Sequence, residues 1–134
     1  MRYIALDTET TGLSVESGHK LIEIGCLEII DRTLTGKKFH KYINPEREID
    51  ASATKIHGLR WLDLKKFPTF REVADEFCEF VKYSTLIIHN SKFDMSFINA
   101  ELSFCGKPIL DTHISDVIDS LGLARSLHPG KKNS

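Results

Sequence analysis

The stretch Leu6-Asp7-Thr8-Glu9-Thr10-Thr11-Gly12 directly follows the apolar residues Tyr3, Ile4 and Ala5. Because alternate residues of a strand point to the same face, Asp7 and Glu9 should project together from the end of a first strand over residues 2–7. Two neighbouring carboxylates repel each other unless a cation lies between them, and a divalent metal with oxygen ligands commonly does so. A surface turn with two solvated acids is the alternative. The buried strand before the acids and the small-residue turn after them favour a metal site.

Composition is that of an ordinary globular domain. The 134 residues are 41% hydrophobic and 28% charged, with a net charge of −1, which predicts one domain with a single core. The charge balance argues against a protein that coats nucleic acid, but not against a nuclease whose metal ions supply the positive charge. The three cysteines show no zinc-binding spacing. With neither a signal peptide nor an apolar span of ~20 residues, we expect reduced thiols, no membrane association and a cytoplasmic location.

The pattern of apolar residues predicts an α/β fold. After the first strand, alternation and apolar runs predict strands over residues 21–30, 38–43, 85–89 and 114–119, with a turn over 31–36. Helical spacing and capping signals predict helices over residues 51–57, 70–82, about 92–104 and 120–127. A three-stranded meander followed by alternating helices and strands predicts a mixed five-stranded sheet flanked by helices.

Asp94 is the third acidic candidate. It falls in the first turn of a helix that follows a buried strand, where an acid often only complements the helix dipole. Sites in open α/β sheets form where strands end and helices begin. Asp94 would therefore meet Asp7 and Glu9 if the strand over 85–89 lies beside the first strand.

Other polar residues allow two interpretations each. His57 ends the short helix, where it either favours the helix dipole or forms a pocket wall. Asp119 precedes the last helix, and we favour a capping role over a supporting role at the site. His19 and the remaining histidines show no metal-ligand spacing, so the sequence assigns them no role.

Six motifs together resemble one family. They are LDTETTG at 6–12, EIG at 23–25, HGL at 57–59, PTFREVADEF at 68–77, IIHNSKFDMSF at 87–97 and DSLGLAR at 119–125. The chain resembles the proofreading 3′–5′ exonuclease subunits, called epsilon, of bacterial DNA polymerase III. That family belongs to the DEDD exonuclease superfamily, and the resemblance implies an RNase H-like fold and release of nucleoside 5′-monophosphates from DNA 3′ ends.

The resemblance also implies roles for individual residues. Asp7, Glu9 and Asp94 match the catalytic acids that hold two Mg²⁺ or Mn²⁺ ions. The positions matching substrate-binding residues are Thr11 and Gly12, whose loop backbone would meet the 3′-terminal nucleotide, Leu13 beside its base, His57 in the pocket wall and Phe93 beneath the site.

The third motif of the family, H-x-A-x-x-D, does not occur in the 134 residues. The histidines after Asp94 are His113 and His128, and neither has an aspartate five positions later. We therefore expect residues 1–134 to form a single exonuclease domain that is C-terminally incomplete before its last helix. Loss of a general base costs ~10²–10⁴-fold in rate, so little or no activity is expected of this chain alone. The uncovered apolar face would favour self-association.

Partners and alternatives follow from the same resemblance. It implies a DNA 3′ end as substrate and, in the full-length protein, the polymerase III alpha subunit and a theta-like subunit as partners. An RNA-trimming exonuclease of the superfamily is one alternative. A non-catalytic binding or structural remnant of the fold is the other.

Overall fold

The structure, a computed structural model, describes residues 1–122. The strands are β1 Arg2–Thr10, β2 Leu21–Ile30, β3 Thr33–Tyr42, β4 Thr85–Ile88 and β5 Asp116–Asp119. The helices are α1 Ala51–His57, α2 Trp61–Leu64, α3 Phe70–Val81 and α4 Ser91–Phe104, with a 3-10 turn at Leu110–Thr112. The predicted helix over 120–127 begins at Ser120, and its part beyond residue 122 lies outside the described residues.

One mixed sheet contains all five of these strands, in the order β3-β2-β1-β4-β5. β1, β2 and β3 pair antiparallel, whereas β4 runs parallel to both β1 and β5. This confirms the predicted RNase H-like sheet. It also meets the condition set for Asp94, because β4 lies directly beside β1.

The core fills one face of the sheet. Alternate residues of β1, among them Ile4 and Leu6, are buried there with Phe77 of α3 and Phe97 of α4. Burying each such side chain stabilises the fold by roughly 1.5–3 kcal/mol. The capping box predicted at the start of α3 is present, with Thr69 and Glu72 bonded reciprocally, so α3 begins where the sequence predicts.

Two strands are longer than predicted. β1 continues to Thr10 because Thr8 and Thr10 are buried and pair with β2, so Asp7 and Glu9 lie within the strand rather than at its end. β3 begins at Thr33 rather than 38 because the turn takes only Asp31 and Arg32, with φ of 52° and 63°. Two left-handed residues match the twist of a tight hairpin. The short helix α2 was not predicted.

The opposite face of the sheet borders a groove of about 900 Å³. Ala5, Asp7, Leu27 and Ile87 line it, and Leu27 is 46% exposed. Apolar side chains of the sheet therefore meet solvent there. None of the helices within residues 1–122 is long and apolar enough to cross a membrane.

Candidate active site

Asp7 and Glu9 lie on one face of β1, the central strand of the sheet. Asp7 is exposed and Glu9 is half-buried, while Thr8 between them is buried on the other face. Burial raises the pKa of Glu9, the charges of Asp7 and Glu23 raise it further, and His57 opposes them. The charge of Asp7 therefore opposes the ionisation of Glu9.

Asp94 is buried in the first turn of α4 and is only 4% exposed. The hydroxyl of Thr8 donates a hydrogen bond to its Oδ1. Burial raises the pKa of Asp94 to about 6, against the effect of the Thr8 hydrogen bond and with added repulsion from Asp7, Glu9 and Asp119. The carboxyl groups borne by β1 and α4 thus act on one another electrostatically.

Asp119 fixes the start of α4. Its carboxylate accepts the backbone N–H groups of Asn90 and Ser91 at 3.1 and 3.2 Å, and those of Leu121 and Gly122 at 3.0 and 3.3 Å. Burial opposes its ionisation, but these hydrogen bonds prevail and lower its pKa. The predicted cap at the end of β5 is confirmed, and the same carboxylate also anchors the helix that bears Asp94.

The chemistry of these acids suits a hard cation. Asp7, Glu9 and Asp94 supply oxygen donors, and their mutual repulsion would be relieved by a divalent ion. Within residues 1–122, no three Asp, Glu, His or Cys side chains come close enough to enclose a metal ion by themselves. The ligand set therefore stays a prediction, and water would have to complete the coordination.

A cleft of about 180 Å³ lies beside Glu9. One wall is the chain from β1 into the following loop, the other wall is α1, and Phe93 of α4 contributes from a third side. The lining residues are Thr8, Glu9, Thr10, Gly12, Leu13, Ser52, Ala53, Ile56, His57 and Phe93. Leu13 and Ile56 are 83% and 82% exposed, so apolar side chains on both walls are open to a ligand.

His57 and Phe93 both line this cleft. The Nδ1 of His57 accepts the Leu59 N–H at 3.1 Å, which leaves its Nε2–H to donate to the Thr10 carbonyl at 3.3 Å. The ring of Phe93 packs on Phe97 with centroids 4.9 Å apart. Both side chains are therefore held by the protein rather than free to rotate.

The loop residues differ in their access to the cleft. Gly12 and Leu13 line it, whereas Thr11 is fully buried behind it. The Thr11 N–H donates to the Lys20 carbonyl and the Thr11 carbonyl accepts the Asp50 N–H, both at 2.9 Å. Because both backbone groups have partners within the protein, Thr11 holds a supporting position behind the cleft, and Gly12 is the residue whose backbone borders it.

Sequence reasoning missed Thr8, although its signal was present. A threonine that alternates with Asp7 and Glu9 must point into the core, where a buried hydroxyl needs a partner. It also gave no role to His19, whose ring lies between Thr11 and Asp50. No local pattern indicates that contact.

Comparison with known proteins places the chain in a family. The family model described as "Exonuclease" matches residues 4–134. The chain belongs to this exonuclease family. Among its relatives, DNA polymerase III subunit epsilon of Rickettsia felis is 47% identical over 133 residues, which cover 98% of this chain and 58% of the relative. The chain therefore spans just under three-fifths of that relative's length.

Solved structures support the fold. A structure of exonuclease X with 5′ overhanging duplex DNA matches with a TM-score of 0.75 at 24% identity. The match covers 98% of this chain and 68% of the exonuclease X chain. The zinc-bound form of Escherichia coli exonuclease I with single-stranded DNA matches with a TM-score of 0.83 at 14% identity. The match covers 98% of this chain and 31% of the exonuclease I chain. At such identities the likeness concerns the fold alone.

Proposed function

We propose that this protein is a metal-dependent 3′–5′ exonuclease that removes nucleoside 5′-monophosphates from DNA 3′ ends. The observation that carries the proposal is that the buried Asp94 accepts a hydrogen bond from Thr8, the residue between Asp7 and Glu9, and that Glu9 lines an apolar cleft. Relatives named as polymerase III epsilon subunits and the exonuclease fold support it.

One group of residues would bind metal, and another would bind the substrate. Asp7, Glu9 and Asp94 would hold Mg²⁺ or Mn²⁺, and bound ions of this kind activate water and offset charge on a leaving oxygen. The cleft would hold the terminal nucleotide, with Leu13 and Ile56 against its base and the Gly12 backbone close by. A single-stranded or frayed end suits this arrangement, because a paired end must first be unstacked.

Metal binding is the first test. Calorimetric titration of Mn²⁺ into the 134-residue chain should show binding that Asp7→Asn weakens at least tenfold. Asp75→Asn is the matched control, because Asp75 is 90% exposed on α3 and pairs with Lys107; it should bind as the wild type does. Wild-type protein that binds no Mn²⁺ would contradict the proposal and favour a non-catalytic remnant.

Substrate choice is the second test. Matched DNA and RNA oligonucleotides, labelled at the 5′ end, should be shortened from the 3′ end, with DNA degraded faster. Because H-x-A-x-x-D is absent from these 134 residues, we expect rates ~10²–10⁴-fold below those of a complete site. Fusing the segment that follows the matched region in the Rickettsia felis relative should raise the rate, and Asp7→Asn should abolish the gain. Faster RNA degradation would instead support an RNA-trimming enzyme.

Cellular partners extend the same proposal. The relatives' name supports a role in a DNA polymerase III. We propose a bacterial cytoplasmic location, with the alpha subunit and a theta-like subunit as partners of the full-length protein. Co-purification of tagged full-length protein with the polymerase subunit would support this role. Recovery of the protein free of polymerase, under conditions that preserve the polymerase itself, would contradict it.

A further inference from the structure

The start of α1 departs from ordinary helix capping. Asp50 occupies the N-cap position, where an aspartate usually accepts a hydrogen bond from its own helix, yet its side chain makes no such bond. Its Oδ2 instead lies 3.3 Å from Nε2 of His19. The Asp50 side chain therefore contacts His19 instead of capping α1.

His19 carries that contact to the other wall of the cleft. Its Nδ1 lies 2.8 Å from the hydroxyl of Thr11, and its side chain is only 9% exposed. The Thr11 hydroxyl already accepts the Lys20 N–H at 3.0 Å. Because a carboxylate can only accept, Nε2 of His19 donates to Asp50, while its Nδ1 faces the Thr11 hydroxyl, a group that can both donate and accept.

The imidazole also packs on the backbone beside the site. A Cβ at Gly12 would lie 2.4 Å from ring atoms of His19, so Gly12 is needed there for space. The Asp50 N–H adds a direct hydrogen bond of 2.9 Å to the Thr11 carbonyl. The loop and α1 are thus joined by a backbone hydrogen bond and by the side-chain chain Thr11–His19–Asp50.

We propose that His19 and Asp50 are positioning residues that fix the separation of the two cleft walls and thereby set affinity for the terminal nucleotide. This inference rests on the proposed function for its ligand. His19 lines neither the cleft nor the groove near Asp7. Its effect is therefore on nucleotide binding, while metal affinity depends on the acids of β1 and α4.

The experiment uses the whole chain with Mn²⁺ and thymidine 5′-monophosphate as probes. His19→Phe keeps a ring against Gly12 but removes both hydrogen bonds, and Asp50→Ala removes one partner. Both should raise the Kd for the nucleotide roughly five- to tenfold, as loss of ordinary hydrogen bonds predicts, and leave the Kd for Mn²⁺ within about twofold. Asp50→Asn should restore affinity, because its amide oxygen can accept the His19 N–H.

Backbone amide exchange distinguishes a tie between the walls from a general loss of stability. The N–H of residue 50 is bonded to the Thr11 carbonyl, so its exchange should accelerate in His19→Phe and Asp50→Ala. Thr69→Ala removes a genuine capping box on α3 and is the matched control: it should lower Tm without changing nucleotide affinity or exchange at residue 50.

Four results are decisive. Unchanged exchange at residue 50, or unchanged nucleotide affinity, in both His19→Phe and Asp50→Ala would overturn the inference. An equal loss of nucleotide affinity in Thr69→Ala would also overturn it. Wild-type protein that binds Mn²⁺ but no nucleotide would contradict the proposed function, and exchange at residue 50 would then decide alone whether His19 ties the walls.

Discussion

Replacing Asp94 by asparagine should make the metal-free protein more stable at neutral pH. The pKa of Asp94 is about 6 against an ordinary 3.8, and one pKa unit corresponds to ~1.4 kcal/mol. Ionising this carboxyl in the folded protein therefore costs up to ~3 kcal/mol, and an effective dielectric well above that of a dry interior reduces the cost to ~1–2 kcal/mol. The substitution also forfeits ~0.5 kcal/mol of interaction with the α4 dipole. The free energy of unfolding of Asp94→Asn should therefore exceed that of the wild type by about 1 kcal/mol.

The pH dependence follows from the direction of this pKa. The folded protein binds the Asp94 proton more tightly than the unfolded chain does, so its contribution to stability is lost as pH rises from about 4 to about 6. The difference between Asp94→Asn and wild type should therefore be absent near pH 4 and full above pH ~6.5. Urea unfolding in EDTA across this range, followed by circular dichroism, measures it.

Two controls separate charge from hydrogen bonding. Asparagine keeps an oxygen that can accept the Thr8 hydroxyl, whereas Asp94→Ala leaves that buried donor unpaired and should lose ~1–3 kcal/mol. Added Mn²⁺ should reverse the order by stabilising only the wild type. A metal-free Asp94→Asn protein less stable than wild type at pH 7.5 would refute the reasoning, because Asp94 would then be stabilised by its surroundings.

Further perturbations test the core, the α4 anchor and the open sheet face. Phe97→Ala should lower the free energy of unfolding by ~3–5 kcal/mol in urea titrations, since Phe97 is fully buried, and a loss below ~1 kcal/mol would contradict that burial. Asp119→Ala should lower the free energy of unfolding by about 1 kcal/mol, speed amide exchange at Ser91 and weaken Mn²⁺ binding. Unchanged exchange at Ser91 would show that Asp119 does not hold the start of α4. The chain should self-associate in sedimentation velocity and Leu27→Glu should reduce this, whereas a monomer throughout a concentration series would contradict it.

Local signals account for the parts of the fold that the sequence predicts well. The capping box of α3 and the alternation in β2 involve residues a few positions apart, and both elements lie where predicted. The start of β3 was missed because it depends on Asp31 and Arg32 adopting left-handed backbone conformations, which ordinary residues seldom do. The predicted turn therefore extended over residues 31–36.

The candidate site likewise has features that local sequence predicts and contacts that it does not. Strand alternation is enough to place Asp7 and Glu9 on one face, and a parallel β1–β4 pair brings Asp94 towards them. The hydrogen bond from Thr8 to Asp94 joins positions 86 residues apart, and the His19–Asp50 contact likewise joins distant segments. Such contacts depend on how elements pack, which spacing along one chain does not encode.

The central position of β1 has a consequence for how the protein opens. Asp7 and Glu9 are borne by a strand bonded to β2 on one side and to β4 on the other, so displacing them requires breaking two ladders at once. The far wall of the cleft is α1, a helix of seven residues with no buried side chain. Local opening should therefore move the α1 wall of the cleft while Asp7 and Glu9 stay in place, and under the proposed function a nucleotide would leave while the metal stays bound.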